Sequence, residues 1–228
     1  MGTLLNKFDQ TQKNYDRLNP WYDLIEGWGE MSISVNAIKL INIQAGEKIL
    51  EVGSGTGTNL LRISNYVINC EIVGLDISFG MCQQAKLKTK KVRKFPMDVV
   101  NGNAVYLPFP KHYFDALFML FTLEIIPNPF TFHTLIEYKR VLKPNGRICV
   151  AAMSSEKADR LMMKLYRWSI DHLPEVVDCQ PIDLESIMKN AGFESSVNQY
   201  YSLWGLPVRI LLANKKSRRK DEDTDFSN

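Results

Sequence analysis

Three glycines spaced two apart, Gly53, Gly55 and Gly57, separate the apolar run Lys48–Val52 from a segment, Asn59–Ile68, with helical periodicity. Glycine is needed where the backbone takes positive φ or where a ligand must touch the main chain, and the helix that follows begins with N–H groups lacking intrahelical partners. Strand, glycine turn and helix together predict a cradle for a nucleotide-like ligand. The dinucleotide fingerprint G-x-G-x-x-G requires a glycine three places after Gly55, and Thr58 stands there. No Gly-Lys-Ser/Thr follows to make a phosphate loop either. The pattern is instead Glu51-x-Gly53-x-Gly55-x-Gly57, with a carboxylate on the strand ahead of the turn.

A second acid follows at a related place. The apolar run Glu71–Asp76 reads as the next strand and ends in a carboxylate, which on a parallel sheet is placed to accept hydrogen bonds from ribose hydroxyls. Further elements are predicted as a helix at Phe79–Lys91 whose lysines 86, 88, 90 and 91 form a solvated face, a strand near Asp98–Asn101, and a buried central strand at Tyr113–Phe121. A helix over Thr131–Leu142 then ends in the turn Lys143-Pro144-Asn145-Gly146, before a strand at Arg147–Ala152. Helix Asp183–Ala191, with Gly192 as its C-cap, precedes strands Phe193–Tyr201 and Val208–Ala213, joined through Gly205-Leu206-Pro207. At 228 residues this suits one α/β domain with a small appendage.

The glycine motif with Glu51, the phrase Gly74-Leu-Asp76-Ile-Ser78 and the junction Arg140-Val-Leu-Lys-Pro-Asn-Gly-Arg147 resemble the class I S-adenosylmethionine-dependent methyltransferases. Within that family the stretch Tyr15–Ile25 is similar to the Tyr-Asp repeat of the branch (methyltransferase type 11) holding the ubiquinone/menaquinone C-methyltransferases and phosphatidylethanolamine N-methyltransferases. The resemblance implies a doubly wound, seven-stranded, mostly parallel α/β sheet, Rossmann-like, with the last strand antiparallel. It implies S-adenosyl-L-methionine as cofactor, with contacts at Glu51, Gly53, Ser54, Gly55, Gly57, Asp76, Ile77, Asn103, Ala104 and Phe121. At Asn103 the family commonly has an acid that accepts from the adenine amino group, and an amide oxygen serves the same purpose.

The acceptor side is less specific. The resemblance implies an N-terminal helical lid over residues 1–43, and Tyr15 and Tyr22 either contact the ligand or dock that lid on the core. Relatives often have histidine where Glu124 stands. Glu124 either orients a substrate ammonium or hydroxyl or caps the next helix. The methyltransferase domain spans 44–214, with a segment 154–180 whose Leu161, Met162, Leu165 and Trp168 oppose Lys157, Arg160, Lys164 and Arg167. Such a helix covers substrate, packs on the core, or lies on a membrane surface. Residues 215–228 read as a charged disordered tail. The expected acceptor is a small or lipid-like molecule, a quinone precursor or an aminophospholipid. A non-catalytic protein of this fold serving as an interaction partner, and an NAD-dependent oxidoreductase, are the alternatives.

Composition narrows the partners. A net charge of +3 is too small to argue for nucleic acid, and the four cysteines form no C-x-x-C pair, so no metal site is indicated. With no signal-peptide core and no apolar run long enough to span a bilayer, a soluble cytoplasmic protein is expected. His112, His133 and His172 are expected at the surface, and the oligomeric state is not encoded in any recognisable pattern.

Overall fold

The computed structural model describes residues 30–91, 96–156, 180–203 and 205–215. In chain order these form α1 (Glu30–Ile41), β1 (Lys48–Val52), α2 (Thr58–Tyr66), β2 (Glu71–Asp76), α3 (Phe79–Thr89), β3 (Met97–Asn101) and β4 (Phe114–Leu120). A short 3-10 turn (Leu123–Ile125), α4 (Asn128–Val141), β5 (Leu142–Met153), α5 (Leu184–Asn190), β6 (Phe193–Leu203) and β7 (Leu206–Lys215) follow. The strands make one seven-stranded sheet in the order β3-β2-β1-β4-β5-β7-β6. β7 runs antiparallel to both of its neighbours and the rest are parallel, as the resemblance implied.

The central strands are apolar on both faces because helices cover both. Leu50, Val52, Leu117 and Met119 pack with Tyr138 of α4 and Met188 of α5 on one side. Ile49, Phe118 and Cys149 pack with Ile33 and Ile38 of α1, Leu60 and Ile63 of α2 and Ala85 of α3 on the other. Each such aliphatic side chain contributes about 1.5–3 kcal/mol by leaving water. Helix α1, which the sequence groups with the N-terminal lid, is therefore docked in the body of the domain. Arg147 of β5 fixes its end by donating to the carbonyls of Ile41 and Asn42 while pairing with Glu47, which satisfies carbonyls a helix C-terminus leaves open. Order reversal falls between β1 and β4, and ligands of open parallel sheets bind beyond the strand ends at that point.

Three boundaries differ from the sequence reading. Helix α4 begins at Asn128, with Pro129 in its first turn, where a missing N–H costs nothing. Residues 143–146 belong to β5: β4 advances from Phe114 to Ala116 while β5 advances from Leu142 to Arg147, so the intervening residues bulge from the ladder. Lys143, in that bulge, meets the carboxylate of Asp115 at 2.7 Å, and Asp115 also accepts from Lys48 N. Leu206 and Pro207 are already paired in β7, leaving the reversal to Gly205 at φ 84. Tyr15, Tyr22, His172, most of the 154–180 segment and the tail beyond 215 lie outside the described residues. On either side of that segment, Arg209 of β7, 2% exposed, pairs with Glu156 and Glu185 and donates to Asn198. No helix among the described residues is long and apolar enough to cross a membrane.

Tyr138 is fully buried, its hydroxyl makes no hydrogen bond among the described residues, and burial pushes its phenol far above the usual range. An unsatisfied buried hydroxyl costs about 1–3 kcal/mol. Tyr138→Phe keeps the ring and removes that cost, so urea unfolding should show a variant more stable than the parent by roughly 1 kcal/mol; a loss of stability would mean the hydroxyl has a partner after all.

Candidate active site

β1 ends at Val52 and the chain enters α2 through Gly53 (φ 73), Gly55 (φ 51) and Gly57 (φ 81). Two of these glycines are dictated by close approach as well as by φ. A Cβ on Gly53 would lie 2.1 Å from Thr122 Oγ1, so the turn after β1 and the end of β4 meet with no room for a side chain. A Cβ on Gly57 would lie 2.9 Å from Cβ of Ala85, where α3 crosses the start of α2.

Four of the turn's N–H groups are occupied by the protein itself. Gly53 and Ser54 both donate to the Leu75 carbonyl, at 2.8 and 3.1 Å, and Gly57 donates to Ser54 O at 2.9 Å. Gly55 donates to Asp76 Oδ2 at 2.8 Å. Phosphate-binding turns aim such groups at the ligand; these are aimed inward, so the geometry disfavours a pyrophosphate. Asp76 is held on its other oxygen by Ser78 N at 2.9 Å, and Ser78 caps α3 by accepting from Met81 N. These two bonds fix the orientation of a carboxylate that lines the cavity.

That cavity has an empty volume near 880 Å³, its open mouth included, within the size range of small-molecule sites. Gly53, Ser54 and Gly55 form its floor, with Asp76, Ile77 and Met81 from the second strand and helix α3. Asn103 and Ala104 follow β3, and Leu120, Phe121, Thr122, Ile125 and Ile126 follow β4. Phe121 takes φ 51 while its N–H donates to Ala151 O. A left-handed bulky residue costs about 1–3 kcal/mol and such outliers cluster at functional sites. The Ser54 hydroxyl is buried with no hydrogen-bond partner among the described residues.

Of the residues named from sequence, Gly53, Ser54, Gly55, Asp76, Ile77, Asn103, Ala104 and Phe121 thus converge on one cavity. Gly57 shapes the turn without lining it. Asn103 spends one acceptor site on Val105 N at 2.9 Å, closing its own turn. Glu51 is 1% exposed and is not among the lining residues; alternation along β1 puts it with Ile49, on the face that α1 and α2 cover. Glu124 does not cap a helix: Pro127 precedes α4 without a side-chain cap, and Glu124, 5% exposed, accepts from Met153 N at 3.0 Å. It ties the 3-10 turn to the end of β5 and does not line the cavity. Lys88 is likewise not solvated with its neighbours, since its ammonium donates to Thr56 and Thr58 beside the glycine turn. His112 and His133 are exposed and outside the cavity.

Several lining residues carry no sequence signature, among them Glu30, Asn59 and Thr122. Thr122 is fixed by contacts to Val52 and Leu120 carbonyls; Asn59 is a polar residue where the first turn of α2 otherwise turns apolar. Cys82 lies under Asp76, and burial, reinforced by the Asp76 charge, pushes its thiol up to about 11, so it supplies no thiolate. Among the described residues no group of histidine, cysteine and carboxylate side chains is arranged to hold a metal.

Comparison with known proteins agrees with this geometry. Residues 50–150 match the model of the methyltransferase domain family. A demethylmenaquinone methyltransferase of Tropheryma whipplei is 29% identical over 189 residues, covering 80% of this chain and 73% of that protein. Among solved structures, an S-adenosylmethionine-dependent methyltransferase from Aquifex aeolicus superposes with a TM-score of 0.65 at 19% identity, covering 85% of this chain and 96% of that one. The cyclase SpnF superposes at 0.73 with 18% identity, covering 92% and 97%. The matched domain, the sheet order and the glycine turn agree on one family, and the chain belongs to the class I S-adenosylmethionine-dependent methyltransferases.

Proposed function

We propose that the cavity binds S-adenosylmethionine and brings its methyl group to a ring carbon of a reduced, quinone-type acceptor. The observation that carries this reading is a cavity with a fixed carboxylate at the end of β2, a glycine-rich turn whose Gly53, Ser54, Gly55 and Gly57 amides already donate within the protein, and an apolar margin after β4. The site fits such a cofactor on its own evidence: a Cβ at Gly53 would collide with Thr122, and Ser54 Oγ and Asp76 present polar atoms beside the turn. When bound, S-adenosylmethionine supplies an electrophilic methyl group on a sulfonium and leaves as a neutral thioether. Asp76 holds the ribose hydroxyls, with its orientation set in advance by Gly55 and Ser78. Asn103 offers its remaining acceptor site to the adenine edge, beside the Ala104 backbone, and Ile77 and Met81 give the flat faces. The turn from Gly53 to Gly57 lies against the methionine half.

At the other margin, Leu120, Phe121, Ile125 and Ile126 exclude water and align the acceptor, which supplies much of the acceleration for an in-line displacement. Glu124 accepts from the Met153 amide and does not line the cavity, so it serves as a positioning residue for this wall. A quinone carbon is itself electrophilic and cannot attack a sulfonium methyl; the hydroquinone ring is electron-rich, its own hydroxyl, once ionised to solvent, activates the carbon, and as the S–CH3 bond breaks and the C–CH3 bond forms the displaced ring proton passes to the phenolate oxygen or solvent, restoring the aromatic hydroquinone. The name carried by the Tropheryma whipplei relative points to the same acceptor class. An aminophospholipid is favoured less, because the wall after β4 offers its ammonium no carboxylate.

Incubation with labelled S-adenosylmethionine and demethylmenaquinone should give methylated product only when dithionite keeps the acceptor reduced, and none with phosphatidylethanolamine; equal turnover of the oxidised form would sink the carbon-nucleophile mechanism. Charge-assisted hydrogen bonds are worth about 1.5–3 kcal/mol, so Asp76→Ala should weaken S-adenosylmethionine binding at least about tenfold in calorimetry. Unchanged affinity would show that the ribose lies elsewhere.

A further inference from the structure

Asn59 sits in the first turn of α2, is 8% exposed, and lines the cavity. Its Oδ1 accepts from Ser34 Oγ of α1 at 2.6 Å and from Arg62 Nη1 at 2.7 Å. Because a guanidinium can only donate, Arg62 settles which amide atom faces it, and the Nδ2 group is turned the other way. Those two N–H groups have no acceptor among the described residues. The Nδ2 group is thus the part of Asn59 left to face the cavity that the residue lines. It also sits at the start of a helix, where partial positive charge favours an anion, next to a turn in which the Gly53, Ser54, Gly55 and Gly57 amides already donate within the protein.

We infer that Asn59 recognises the α-carboxylate of the cofactor's amino-acid arm, a reading that rests on the proposed binding of S-adenosylmethionine. Ser34 and Arg62 are the residues that position it, so the N-terminal helix α1 contributes to cofactor selection without touching the adenosine. Glu30, one turn before Ser34 on the same helix face, lines the same cavity with a carboxylate of the kind an ammonium requires.

Calorimetric titration of the full chain with S-adenosylmethionine, decarboxylated S-adenosylmethionine and 5′-methylthioadenosine tests this directly. The parent should bind the first at least about tenfold more tightly than the second, the usual worth of a hydrogen bond to a charged group. Asn59→Ala should abolish that preference and leave methylthioadenosine affinity unchanged. Asn59→Asp keeps an acceptor for Ser34 and Arg62 but sets a carboxylate against a carboxylate, so it should invert the preference. If either variant weakens methylthioadenosine as much as S-adenosylmethionine, Asn59 is merely structural and the inference is overturned; undiminished discrimination in both variants overturns it equally. A parent that binds none of the three ligands refutes the cofactor reading itself, a result distinguishable from both.

Discussion

The bond from Gly55 N to Asp76 Oδ2, with the paired donations of Gly53 and Ser54 to the Leu75 carbonyl, joins the turn after β1 to the end of β2. Most of the site depends on this seam. It holds three positive-φ residues in one conformation, and it sets the carboxylate that faces the cavity before any ligand arrives. It also uses the N–H groups that would otherwise make the turn a phosphate cradle. The same glycine-rich outline therefore serves opposite chemistries, according to where its amides point.

The features legible in the sequence are those written in local backbone demands. Gly53, Gly55 and Gly57 show where side chains are excluded, the apolar runs Lys48–Val52 and Phe114–Leu120 show burial on both faces, and Asp76 ends a strand where a nucleoside site needs an acid. What the sequence conceals is decided by register between distant segments. Glu124 looks like a helix cap, yet the end of β5 passes near enough for the Met153 amide to claim it. Lys88 looks like one of several solvated lysines, yet the crossing of α3 over the turn brings it to Thr56 and Thr58. Residues 143–146 have turn chemistry and do project from the sheet, but as a bulge within β5, because Asp115 and Lys143 hold the ladder on both sides. Asn59 has no local signature at all, since its meaning comes from Ser34, 25 residues earlier.

The fold by itself leaves the chemistry open, as its likeness to a cyclase illustrates. Function here is carried by how charge is distributed around the cavity. The displacement starts with a full positive charge on sulfur and ends with a neutral thioether, so charge is dispersed in the transition state. A carboxylate in contact with the sulfonium would stabilise the reactant more than the transition state and slow the reaction. Glu51 is buried on the face of β1 that α1 and α2 cover and does not line the cavity, Asp76 stands at the end of β2, and the margin next to the 3-10 turn is made of Leu120, Phe121, Ile125 and Ile126. Under the proposed binding of S-adenosylmethionine, acids kept off the sulfonium and hydrocarbon beside the 3-10 turn are the arrangement that this kinetic argument requires. The strained Phe121 is the point where the two regimes meet: its N–H is anchored to Ala151 while its left-handed backbone turns the chain from β4 into the apolar wall. A residue free to relax there would let the wall retreat and admit water to a step that depends on its exclusion.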